Sequence, residues 1–152
     1  MGPLKGFKII EVSGIGPGPL CGMLLADLGA EVIRIDRSST SLPISQGYEF
    51  DITGRNKKSI CLNLKEPKSK EIFFKLIQHS DALIEGFRPG VMEKLGLGPD
   101  ECFNKNKKLV YGRITGWGQT GPLSKIAGHD INYIALAGAL YSMNGSKPTI
   151  PL

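Results

Sequence analysis

The chain has 152 residues, of which 41% are hydrophobic and 22% charged, and it carries a formal net charge of +5. This length supports one domain with a real core and excludes two ordinary domains, and the composition is typical of neither a disordered nor a membrane protein. The positive charge favours anionic partners, but basic and aromatic residues are not interleaved as in nucleic-acid-binding modules, so nucleic acid is not an expected partner.

The first predicted elements form a β-loop-α-β unit. Residues 7–12 predict a buried strand, and a loop rich in glycine and proline follows at residues 13–19. Apolar residues at helical spacing predict a helix over residues 20–28, which ends at Gly29. Residues 31–35 predict a second strand. A unit of about 30 residues in this order is the building block of a parallel sheet.

The alternation of strands and helices continues after residues 38–56, which lack periodicity and predict a surface loop. The later predicted elements are strands over residues 59–64, 81–85 and 108–115, short helices that begin at Pro89 and Pro99, and longer helices from Pro67 and over residues 130–143. This pattern predicts an α/β fold with a Rossmann-like doubly wound parallel sheet, which binds ligands at the carboxyl ends of its strands. No apolar run approaches the roughly 18 residues of a membrane span, and the N-terminus lacks the apolar segment of a secretory signal, so we expect an intracellular location.

The first loop superficially resembles a dinucleotide-binding fingerprint. Its sequence GIGPGP has the spacing GxGxG rather than GxGxxG, and its two prolines lack the amide donors that would hold a pyrophosphate. Asp36 follows the second strand, where an acid could bind a ribose. We favour a tight strand-to-helix turn here and expect no nicotinamide cofactor.

Five basic residues lie near predicted strand ends, namely Arg37, Arg55, Lys57, Lys58 and Arg88. Strand ends of a parallel sheet meet at one edge, so these residues could form an anion-binding rim, in which arginine would contact phosphate through two hydrogen bonds. A solvated charged surface is the alternative for each of them. For Arg88, which lies between a strand and a helix in the segment GFRPG, we favour ligand binding.

A histidine at the predicted start of the last helix is the main candidate for proton transfer. His129 comes after a loop in which four glycines between residues 112 and 121 would let a ligand approach the backbone. A helix start disfavours imidazolium, and neutral imidazole is a competent general base. Amides of the first turn could also bind an oxyanion. The alternative is a structural histidine, with Asp130 only a helix-start acid and Asn132 and Tyr133 only polar helix positions.

The sequence offers neither a metal site nor a disulfide. His79 is predicted to be a solvated helix cap, and two histidines without clustered cysteines or carboxylates make a poor ligand set. Cys21, Cys61 and Cys102 are odd in number and far apart, which favours reduced thiols packed in the protein interior.

Several segments together resemble one family. In chain order they are EVSGIGPGP (11–19), LADLGA (25–30), VIRIDR (32–37), RNKKS (55–59), EGFRPGV (85–91), TGWGQTGP (115–122) and AGHDINY (127–133). By these segments the chain resembles the amino-terminal part of α-methylacyl-CoA racemases, within the family III CoA-transferase superfamily. GHDINY is the racemase-specific part, since the transferase branch usually has an aromatic residue before the aspartate.

The resemblance implies inversion of C2 in 2-methyl-branched acyl-CoA thioesters, by removal and return of the α-proton, within fatty-acid and bile-acid metabolism. It implies no metal and no other cofactor, because coenzyme A is part of the substrate. His129 would be one acid/base, and the amide of Asp130 would face the enolate oxygen. The implied CoA-binding residues are Arg37, Arg55, Lys58, Cys61, Leu62, Asn63, Leu64, Arg88, Gly128, Ile131, Asn132 and Tyr133.

The resemblance also implies that full-length family members contain segments that have no counterpart in residues 1–152. Residues 1–152 correspond to the N-terminal part of the CoA-binding large domain, without the small domain and the C-terminal return of full-length members, which form interlocked homodimers. The second acid/base, an aspartate that follows a Pro-Leu pair, would come after Pro151 and Leu152. We therefore interpret the chain as a fragment and expect little or no racemase activity from it alone. The location that the resemblance implies is the peroxisome or the mitochondrion.

Two alternatives to the racemase remain. A family III CoA-transferase would move CoA between carboxylic acids through an aspartate nucleophile and an acyl-enzyme anhydride. The chain lacks that aspartate in the expected context, and His129 argues against this role. The other alternative is a CoA-binding product of a shortened transcript, without turnover.

Overall fold

The computed structural model describes residues 2–37 and 51–144. Within them, five parallel strands form one sheet in the order β3-β2-β1-β4-β5. The strands are β1 (Lys8–Val12), β2 (Glu31–Asp36), β3 (Lys57–Cys61), β4 (Ala82–Glu85) and β5 (Val110–Arg113). The helices are α1 (Pro17–Asp27), α2 (Pro67–Gln78), α3 (Val91–Lys94), α4 (Pro99–Lys105), α5 (Asp130–Leu136) and α6 (Ala139–Asn144).

The chain divides after Ile114 into two compact units. The first unit contains the sheet and helices α1 to α4, and the second contains α5 and α6. No helix among the described residues is both long and apolar enough to cross a membrane.

Apolar side chains of the sheet pack on both of its faces. On one face, Ile9 and Val32 are buried against Ala26 of α1. On the other, Ile10 and Leu83 belong to a larger cluster that the helices α2 and α4 cover. Strands that are buried on both sides carry apolar residues on both faces, as Ile9, Ile10 and Val12 do in β1. The predicted doubly wound α/β sheet is thus confirmed.

The third strand begins two residues earlier and ends three residues earlier than predicted. Its register runs from Val32↔Lys57 to Asp36↔Cys61, so it includes two lysines and ends before Leu62. The strand was predicted to begin later because KKSIC starts with three polar residues. Nothing in the local sequence indicates that Lys57 is buried against a carboxylate. After the strand, the Leu62 amide donates to the Asp36 carbonyl at 2.9 Å, and the chain then turns towards α2.

The predicted helix over residues 130–143 is two helices. Gly138 separates them with a φ of +78°, a left-handed conformation that glycine adopts without a steric penalty. Of the loop predicted over residues 38–56, residues 38–50 lie outside the described residues. The rest contains one turn of 3-10 helix, Ile52–Gly54, which Asp51 caps by accepting the Gly54 amide at 3.0 Å.

Candidate active site

A cavity of about 410 Å³ lies where β1, β2 and β3 end. Its lining comes from the ends of β1 and β2 (Val12, Ser13, Ile35, Asp36 and Arg37), from residues 62–65 after β3, and from Phe87, Val91 and Leu95 after β4. The position agrees with the rule that open α/β sheets bind ligands at the carboxyl ends of their strands. Of the predicted CoA-binding residues, the cavity brings together Arg37, Leu62, Asn63 and Leu64.

Two cationic side chains line this cavity. Arg37 is exposed, and its guanidinium carbon lies 5.7 Å from the ring centroid of Phe87, close enough for a cation–π contact. Lys65 is exposed as well, and it was not among the predicted site residues although it follows a strand end. Arg88 is exposed directly after Phe87 but is not part of the lining. The cavity therefore joins an apolar interior to a basic rim, which suits a ligand with both apolar and anionic parts.

Residues 61–65 are held by the turn into α2. The Asn63 side chain accepts the Lys65 amide at 3.2 Å, and the Glu66 amide donates to the Asn63 carbonyl at 2.8 Å. This asparagine turn places Leu62 and Leu64 along the cavity. Cys61 is exposed and does not line the cavity, so the prediction that it packs in the interior is wrong.

The predicted convergence of five basic residues on one edge is wrong for three of them. Lys57 and Lys58 begin β3, at the amino edge of the sheet, and Arg55 contacts the end of α1. Each of the three forms an ion pair: Arg55 with Asp27, Lys57 with Glu11, and Lys58 with Glu31. The bond from Arg55 holds the pKa of Asp27 below its usual range, and the bond from Lys58 does the same for Glu31. These cations already have carboxylate partners, and none of the three lines the cavity at the strand ends.

In the second unit, His129 is the N-cap residue of α5. Its amide donates to the Asn132 side chain at 2.9 Å, and its carbonyl accepts the amides of Asn132 and Tyr133. Asp130 follows as the first helical residue, and the described residues provide no hydrogen-bond acceptor for its amide. His129, Asp130, Ile131 and Asn132 are all exposed. The predicted acid/base thus has a fixed backbone and an accessible position.

Two glycines of the predicted motifs make room for an aromatic pair. The rings of Trp117 and Tyr133 meet edge to face with centroids 4.9 Å apart. A Cβ atom on Gly116 would lie 2.0 Å from the Tyr133 hydroxyl oxygen, and one on Gly128 would lie 2.8 Å from the Tyr133 ring. Gly128 and Tyr133, which were predicted to line the acyl-CoA path, therefore have at least a packing role. Gly112, the first of the four glycines assigned to the loop, lies in strand β5.

We expect Gly116→Ala to disrupt this pair, because the added methyl group and the Tyr133 ring cannot occupy the same space. Trp117 is the only tryptophan in the sequence, so its emission reports on the pair directly. The expected result is a red-shifted emission maximum and a weaker near-ultraviolet circular dichroism signal. Gly14→Ala is the matched control, since a Cβ there meets nothing within 4 Å. Unchanged emission in Gly116→Ala would contradict the packing.

The three cysteines and the two histidines form no further site among the described residues. The described residues contain no group of three or more histidine, cysteine, aspartate or glutamate side chains that could hold a metal ion. Cys102 is buried, and burial raises the pKa of its thiol to about 12, which makes it unreactive at neutral pH.

Comparison with known proteins identifies the family. The sequence pattern of CoA-transferase family III matches residues 4–152. This chain belongs to CoA-transferase family III. The solved structure of the Mycobacterium tuberculosis protein Rv3272 matches 100% of this chain with a TM-score of 0.86 and 37% identity, and the match covers 44% of that protein.

Among curated family members, both racemases and transferases are similar to this chain. The α-methylacyl-CoA racemases of Homo sapiens and Mus musculus are 44% and 45% identical to it over 98% of its length. The succinyl-CoA:glutarate CoA-transferase of Homo sapiens is 37% identical over 91% of its length. The chain spans 38% of the length of each racemase and 34% of the transferase.

Proposed function

We propose that this chain supplies the CoA site and one acid/base of a racemase that inverts C2 of 2-methyl-branched acyl-CoA thioesters. The observation that carries the proposal is the histidine at the start of α5, in a chain more similar to the two racemases than to the human transferase. We assign CoA to the cavity at the strand ends, with its anionic groups at the basic rim.

The chemistry requires two acid/base groups and a site for an oxyanion. The α-proton of a thioester is weakly acidic, so its removal needs a base on one face of C2 and hydrogen-bond donors for the enolate oxygen. His129 would take or return the proton on one face, and the Asp130 amide would donate to the oxygen. Return of a proton from the opposite face gives the inverted product. The resemblance assigns that second role to an aspartate that has no counterpart among these 152 residues.

We expect Arg37→Gln to weaken CoA binding by on the order of tenfold, because it removes a charge-assisted contact at the cavity rim. Calorimetric titration with CoA measures the change. Arg55→Gln is the matched control, since Arg55 pairs with Asp27 at the other end of the sheet. Equal losses in both variants would contradict the assignment of CoA to this cavity.

A CoA-transferase is the second candidate, and the similarity to the human succinyl-CoA:glutarate CoA-transferase favours it. Such an enzyme would form an acyl-enzyme anhydride on an aspartate and pass CoA to a second carboxylic acid. Tight CoA binding without either reaction would instead indicate a binding protein.

The deciding experiment follows two reactions in deuterated water with this chain and with a version extended to the length of its relatives. Entry of deuterium at C2 of a 2-methylacyl-CoA supports the racemase. Acyl exchange between acyl-CoA and a free acid, with the α-proton retained, supports the transferase and contradicts the racemase.

A further inference from the structure

Three charged side chains, one each from β4, β5 and α3, form a chain of ion pairs next to the segment that joins β4 to α3. Glu85 ends β4 and is paired in register with Arg113 of β5, whose Nε lies 3.6 Å from Glu85 Oε1. A second nitrogen of Arg113, Nη2, forms an ion pair with Glu93 of α3. The result is a Glu85–Arg113–Glu93 network that connects two strand ends with a helix.

The Glu85 carboxylate binds the backbone of the joining segment. Its Oε2 accepts the amide of Phe87 at 2.7 Å. Glu85 is only 4% exposed, and its burial raises the pKa of the carboxyl group. A carboxylate at this depth is costly unless it is paired and hydrogen-bonded. Here its partners are the segment itself and the arginine that holds α3, so the charge ties both to the sheet.

The groups that this network holds form one wall of the cavity. Phe87, Val91 and Leu95 all line it, and the Phe87 ring lies beneath the Arg37 guanidinium. A shift of the segment would therefore move the apolar wall of the cavity and, with it, the Phe87 ring that contacts Arg37. The network itself does not line the cavity, so any effect on a ligand would be indirect.

We propose that the Glu85–Arg113–Glu93 network positions the wall of the cavity for CoA, with Glu85 as a positioning residue that acts through Phe87. This inference rests on the proposed function, because it takes CoA as the ligand of the cavity. Glu85 was not among the predicted site residues.

The test compares Glu85→Ala and Glu85→Gln with the matched control Glu11→Gln. Glu11 is also a buried carboxylate with one ion pair, but it lies against α1 on the opposite face of the sheet. CoA affinity is measured by calorimetry at a temperature where circular dichroism shows every variant folded. Hydrogen exchange of the Phe87 amide, followed by NMR, reports on the contact directly.

We expect Glu85→Ala to lower CoA affinity by on the order of tenfold and to speed exchange of the Phe87 amide. Glu85→Gln keeps an oxygen acceptor for that amide and should rescue part of the affinity. Glu11→Gln should lose stability and keep the wild-type affinity. If Glu85→Ala does not fold, Glu93→Gln takes its place, since Glu93 is exposed and its loss removes only the outer ion pair. We then expect a smaller loss, of about threefold.

Three results would overturn the inference. Wild-type CoA affinity in Glu85→Ala would refute the role of the network in positioning the cavity wall and would leave the proposed function intact. The same holds for Glu93→Gln if it replaces Glu85→Ala. Equal losses in the Glu85 and Glu11 variants would reveal general destabilisation. Failure of the wild-type chain to bind CoA would refute the proposed function, and this inference with it.

Discussion

In the version extended to the length of the relatives, His129→Ala lowers deuterium entry at C2 by on the order of 10²–10⁴-fold for the 2-methylacyl-CoA epimer whose α-proton faces His129. This is the expected loss when a positioned general base is removed from a proton transfer. The substitution keeps one contact of the helix start, because the Asn132 side chain accepts the backbone amide of residue 129, which alanine retains. His129 is exposed, so its removal opens no cavity. The rate of exchange, measured by NMR at saturating thioester, checks the prediction.

His79→Ala is the control for this experiment. His79 is the exposed C-cap residue of α2, in the first unit, and its loss should leave the exchange rate unchanged. CoA affinity should stay near the wild-type value in both variants, since neither histidine lines the cavity at the strand ends. If the His129 variant exchanges deuterium as fast as the wild type with that epimer, His129 is not the base, and another residue removes the α-proton.

The sequence predicted the order of the elements well, because parallel strands and their helices have strong periodic signals. Three of the five residues of β1 are apolar, and prolines are found in the first turns of α1, α2 and α4. The break between α5 and α6 was missed. Isolated glycines occur within helices, and a sequence does not show which of them adopts a positive φ, as Gly138 does.

The cavity was predicted less completely than the fold. The strand-end rule located Arg37 and residues 62–64, because strand ends can be read from the sequence. It did not separate cations at the carboxyl edge from those that begin β3, such as Lys58, since both lie next to a strand. Phe87 was not predicted to line the cavity, because the neighbouring Arg88 gave the stronger sign of ligand binding in that segment. The burial of Glu85 next to this segment could not be predicted either, because long-range ion pairs leave no local pattern in the sequence.

The buried ion pair between Lys57 and Glu11 leads to the second large prediction, that Lys57→Met destabilises the first unit by about 3–5 kcal/mol. Lys57 Nζ lies 2.6 Å from Glu11 Oε2 and donates to the Pro19 carbonyl at 2.9 Å. Both charged side chains are 1% exposed. Gly22 of α1 admits the carboxylate, since a Cβ there would lie 1.8 Å from it. Methionine fills the volume of lysine but leaves the carboxylate buried without its partner. Urea unfolding at pH 7 measures the loss.

The pH dependence of this loss separates an unpaired charge from a simple packing defect. Burial raises the pKa of Glu11 above its ordinary value of 4.5, so the folded state holds that proton more tightly than the unfolded chain does. The stability that this proton contributes is complete below pH 4.5 and is lost as the pH rises through the folded pKa. Without Lys57 the pKa of Glu11 in the folded state rises further. The difference in the free energy of unfolding between wild type and Lys57→Met should therefore be small in acid and should grow towards neutral pH. Lys58→Met, next in sequence with a side chain 72% exposed, should change the unfolding midpoint little at either pH. A loss in Lys57→Met that is constant with pH would show that the buried charge is not its cause.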